Sequence, residues 1–140
     1  MIIREPAKAK QLICFDGLRF EGRNGFRNVW PTDIDGYIQL DAENLFFLLE
    51  LKYAPKYDGV KKGQAGALTR LADAVGENCY VLIAEHEVTN PKDPIMVRDA
   101  IVKKIYRGRL GWIDWNKPVK DTVEAIIKAR KEIKGIWKKI

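Results

Sequence analysis

Asp33, Asp35, Glu50 and Lys52 are spaced so that a single reversal of the chain gathers them. Residues 35–40 and 45–53 are largely apolar, and the polar stretch Asp41-Ala42-Glu43-Asn44 divides them, which is the pattern of an antiparallel hairpin. With Leu40 facing Leu45, Asp35 stands opposite Glu50, and Asp33 opposite Lys52 if pairing runs that far. Side chains alternate faces along a strand, so all four charges project to one side. Carboxylates in direct opposition repel unless a cation lies between them, and a divalent ion with oxygen ligands meets that need. Two such groups hold Mg²⁺ or Mn²⁺ and leave positions for water and a phosphate oxygen. A lysine two residues after the glutamate reaches the same pocket, to position water or offset charge in the transition state. This is the chemistry of phosphodiester hydrolysis. The competing reading is a surface salt-bridge ladder with Asp33 pairing Lys52, which would contribute little.

The elements that must position these groups follow from the same residues. The other side of the hairpin carries Ile34, Gly36, Ile38, Leu40, Leu45, Phe47, Leu49 and Leu51, an apolar face that has to be core. Tyr37, Phe46 and Leu48 share the charged side, so the charges cluster at one end of a mostly apolar strand pair. Residues 61–75 read as a helix with Leu68, Leu71, Ala72 and Val75 on one stripe and Gly76 as its stop. Residues 79–84 form a buried strand, 90–94 a loop, and 96–106 a strand whose alternation is loose. Residues 108–115 read as a turn and a short extended piece. Residues 119–139 read as an amphipathic helix with Val123, Ile126, Ile127, Ile133 and Trp137 on its apolar side. Trp112, Trp115 and Trp137 are expected to pack that helix onto the sheet. In residues 1–30, Gln11–Phe15 suggests a short strand, Asp16-Gly17 and Arg23-Asn24-Gly25 suggest turns, and Trp30 either caps the core or stacks on a base. The order predicts an α/β fold, a mixed central sheet flanked by helices.

The segment Pro31-Thr32-Asp33-Ile34-Asp35-Gly36, followed by a hydrophobic strand ending Leu49-Glu50-Leu51-Lys52, resembles the PD-(D/E)XK nuclease superfamily. The resemblance runs from about Pro31 to Ala84. It implies a restriction-endonuclease-like fold in which Asp35 and Glu50, with the Leu51 backbone carbonyl, hold Mg²⁺ or Mn²⁺ and Lys52 assists catalysis. Asp33 is the alternative metal aspartate; Asp35 is preferred because pairing sets it against Glu50. Many members carry a glutamine on the next helix, and Gln64 matches that place near a helix amino terminus suited to phosphate. The superfamily commonly adds an amino-terminal helix bearing another acid. Residues 1–30 show no long helix, which leaves Glu5 or Glu21 for that part and the number of metals open.

At 140 residues the whole chain, 1–140, fits one domain. Its formal net charge of +6 favours a polyanion, and DNA is the expected partner. Arg23, Arg27, Lys56, Lys61, Lys62 and Arg70 flank the hairpin and are candidate phosphate contacts. Residues 117–140 carry eight basic side chains against three acidic ones, either a solvated helix face or a phosphate-contacting surface. No apolar run approaches the roughly 18 residues of a membrane span, and the start lacks the pattern of a signal peptide. Cys14 and Cys79 read as buried free thiols, so a cytoplasmic location is expected. His86 lies between Glu85 and Glu87, and consecutive strand residues diverge, so it reads as a strand-end surface residue. Size alone suggests a homodimer spanning two strands. The rival in function is a nucleic-acid-binding module that keeps the fold without cutting.

Overall fold

The computed structural model describes residues 20–21, 28–29, 34–56 and 62–132. The chain divides into two compact units, Met1–Asp33 and Ile34–Ile140. In the first, β1 (Phe20–Glu21) pairs antiparallel with β2 (Asn28–Val29), bracketing the turn signal at Arg23-Asn24-Gly25. The expected strand at 11–15 and Trp30 lie outside the described residues.

The second unit is built on a five-stranded mixed sheet of β3 (Gly36–Leu40), β4 (Leu45–Tyr53), β5 (Cys79–His86), β6 (Ile101–Arg107) and β7 (Gly111–Pro118), in that spatial order. β4 and β5 are parallel and every other neighbouring pair is antiparallel. The hairpin closes through Asp41–Asn44, where the Asn44 N–H donates to the Asp41 carbonyl at 3.2 Å and Asn44 takes φ 53°. Asparagine tolerates that left-handed conformation better than most residues. Two parallel strands need a crossover between them, and α1 (Lys62–Val75) supplies it. Gly76, at φ 110°, ends the helix by donating its N–H to the Ala72 carbonyl at 2.9 Å.

β4 and β5 are covered on both faces, which is why each reads as a nearly unbroken apolar run. On one face Leu45, Phe47, Leu49, Tyr80, Leu82, Ala84 and Val102 pack beneath α2 (Val119–Glu132), which contributes Val119, Ile126 and the half-buried Val123 and Ile127. On the other, Leu48, Cys79, Val81 and Ile83 lie with Leu68 and Ala72 of α1. Cys79 is a buried free thiol, and burial pushes its pKa from an ordinary 9.0 up to about 11.

The structure corrects several expectations. Leu71 and Val75 do not lie on the buried stripe of α1; they are 42% and 45% exposed. One residue step turns a helix by about 100°, so Leu71 leaves the Leu68–Ala72 line, and Val75 sits in the last turn. Residues 96–106 are not one strand: a 3-10 turn at Val97–Asp99 precedes β6. The loose alternation has a cause, since pairing slips at Ile83/Ala84 and again at Val102/Lys104. The short extended piece is a full strand, β7, entered through Gly108 at φ 37° and Gly111 at φ 65°. Trp115 packs on the α2 side and donates from Nε1 to Thr122 Oγ1 at 3.0 Å. Trp112 turns to the α1 side against Tyr106, with ring centroids 5.2 Å apart. Ile133 and Trp137 lie outside the described residues. No described helix is long and apolar enough to cross a membrane.

Candidate functional site

The hairpin pairs as its loop length requires, with Leu40 against Leu45 and Gly36 against Leu49. Continued by one residue, this register sets Asp35 level with Glu50. The ladder stops at Gly36, however, and Asp35 stands on a bend ahead of β3. Its Oδ2 accepts the Leu51 N–H at 2.7 Å, which fixes the carboxylate against the β3 side of β4. In a strand the N–H and C=O of one residue point to the same side, so the Leu51 carbonyl also faces that side, beyond the last β3 pair.

Glu50 is 4% exposed. Alternation puts it on the α1 face with Phe46 and Leu48, and β5 sets the buried Ile83 beside it. Lys52, two residues on and half-buried, brings Nζ to 3.1 Å from Glu50 Oε1. A charge removed from water this far needs close compensation, and the lysine provides part of it. Asp35, Glu50, Leu51 and Lys52 therefore meet at one end of β4. Among the described residues no group of three or more His, Cys, Asp or Glu side chains is arranged to hold a metal ion. Two carboxylates and one carbonyl, all hard oxygen donors, nevertheless suit a small divalent cation that keeps several waters.

The other expected site residues fare differently. Asp33, Arg23, Arg27 and Lys61 lie outside the described residues, as does Glu5. Gln64 falls in the first turn of α1, and Lys62 opens that helix. Lys56 closes the 3-10 turn Ala54–Lys56 after β4. Arg70 is exposed on α1. The basic carboxyl end of α2 is engaged elsewhere: Lys131 pairs with Glu43 of the hairpin turn at 3.5 Å, and Arg130 bonds Asn78 just before β5. Both contacts are at the opposite end of the strands from Glu50.

His86 is half-buried rather than a plain surface residue. Its ring lies 5.8 Å from that of Tyr53, and Nδ1 accepts the Val88 N–H at 3.2 Å. Sequence reasoning passed over Glu85, the partner of Lys52 in the parallel register of β4 and β5. No local signal in the sequence marks it, because β5 runs two residues past its apolar segment and a parallel register is set through the crossover. Compared with models of known protein families, with curated proteins and with solved structures, the chain matches none.

Proposed function

We propose that this protein is a metal-dependent nuclease of restriction-endonuclease-like fold that hydrolyses phosphodiester bonds in DNA. The observation that carries this reading is the meeting of a buried carboxylate, an amine at 3.1 Å and a second carboxylate anchored on the intervening residue, all at one strand end. A solvated salt-bridge ladder does not need a glutamate buried to this degree. The sequence of elements agrees: an aspartate one residue ahead of a strand, a Glu-x-Lys strand, a crossover helix and a parallel partner strand.

Asp35, Glu50 and the Leu51 carbonyl are the residues that would hold Mg²⁺ or Mn²⁺, and the bound ion supplies Lewis acidity at the phosphoryl group. Asp35 has one oxygen committed to the Leu51 amide, which orients the other. Lys52 sets its ammonium beside the reacting phosphate, where it orients water and offsets developing charge. Gln64, at the amino end of α1, is assigned to the same phosphate or water. The net charge of +6 draws DNA to the molecule. With its buried free thiol, the protein belongs in the reducing cytoplasm.

The test is incubation with linear, circular and branched DNA in Mg²⁺, Mn²⁺ or EDTA, with Glu50→Ala and Lys52→Ala alongside. Metal-dependent cleavage that falls by about 100-fold or more in both variants is expected. Cleavage retained in both removes these residues from the site. Tight binding without cleavage identifies a non-cutting binding module instead.

A further inference from the structure

Lys103 and Lys104 are consecutive residues of a strand, yet both turn to the same face. Ile83 and Ala84 of β5 pair with Lys104 and Val102, so Lys103 is an extra residue bulged from β6. The Lys104 ammonium donates to Asp114 Oδ1 and the Lys103 ammonium to Asn116 Oδ1, each at 2.8 Å. Asp114 and Asn116 alternate with Trp115, which packs on the α2 side, so both project to the other face. That is the α1 face, since Lys104 is level with Ile83, which packs beneath α1. The same row continues to Glu50, the partner of Ile83 on β4. Two strand spacings, about 10 Å, therefore separate the backbone at Lys104 from that at Glu50.

A bulge has thus set two ammoniums side by side on the face that carries the candidate site. The acceptor of Lys103 is a neutral amide, which leaves its charge in place. The side chain of Asp114 is 88% exposed and that of Lys104 42%, and an ion pair so open to water is weakly held. Two carboxylates share the patch: Asp114, and Glu85, which lines one cleft with Lys103. None of the basic residues expected from the sequence to touch phosphate lies on β6 or β7. On the nuclease reading, on which this inference rests, we propose that Lys103 and Lys104 hold backbone phosphate of the bound DNA away from the bond that is cut. They set the path of the strand along the α1 face of β6 and β7.

The test joins binding to kinetics in the full chain. Anisotropy titrations of labelled DNA in EDTA, over a range of salt, compare the parent with Lys103→Met/Lys104→Met and Asp114→Asn. Lys120→Met/Lys128→Met removes the same charge from exposed positions of α2, on the opposite face. Lys103→Met/Lys104→Met should weaken binding about tenfold at about 0.15 M salt and lower the slope of log K against log salt by about 1–2. The α2 pair should change affinity by less than about twofold. Asp114→Asn should tighten binding about twofold in the parent and leave it unchanged beside Lys104→Met. In Mn²⁺, Lys103→Met/Lys104→Met should raise KM with kcat kept within about twofold. Equal losses from the two double variants mean that net charge alone is read, and overturn the inference with the nuclease reading intact. Unchanged affinity in Lys103→Met/Lys104→Met overturns it too, as does a fall in kcat at unchanged KM. A parent that binds DNA without cutting it overturns the nuclease reading and this inference together, a failure read from the parent alone.

Discussion

A Cβ at position 36 would stand 3.1 Å from Cδ1 and 3.3 Å from Cβ of Leu49, and Leu49 is buried with little room to retreat. The missing side chain lets β3 close on β4 one residue after Asp35, where the carboxylate must reach the Leu51 amide. Gly36→Val is expected to cost about 1–3 kcal/mol in a urea melt and to lower cleavage as Asp35 is pushed from Leu51. Unchanged stability and activity would show that this close approach is unimportant. At this scale the sequence was informative about Asp35 and Glu50, because a four-residue loop and an apolar alternation fix the hairpin register locally. It was silent on Glu85. The register of a parallel pair is set through a crossover helix, and no turn chemistry announces it.

The buried stripe of α1 is narrower than its apolar composition suggests. Leu68 is 1% exposed, and Ala72 packs on the same sheet face, whereas Leu71 lies open. Leu68→Ala should cost about 2–5 kcal/mol by cavity formation, and Leu71→Ala about 0.5 kcal/mol or less, both read from chemical denaturation. Equal losses would mean that α1 seats on a different line. β4 and α2 were legible as elements because long, strongly patterned segments announce their period. β6 and β7 were harder for a physical reason: two register slips break the alternation by which a strand is recognised, and two glycines in left-handed conformations turn the chain between them. The side to which Trp112 turns depends on that slip, so composition alone could not give it.

Across the whole molecule, opposite ends of the β4–β5 pair have different work. At one end Lys131 and Arg130 tie α2 to the hairpin turn and to the entry of β5. At the other, the Leu51 N–H holds Asp35, and Lys52 pairs with the buried Glu50. The sheet between them is packed on both faces, so Glu50 and Lys52 are carried by a rigid strand, as the proposed chemistry on a phosphate would require. The most direct measurement is the single-turnover rate of DNA cleavage at saturating Mn²⁺ for the parent and Glu50→Gln, with DNA affinity measured in parallel. The account predicts a rate lowered by about 100-fold or more with affinity largely kept. Cleavage by Glu50→Gln at the parent's rate would contradict it.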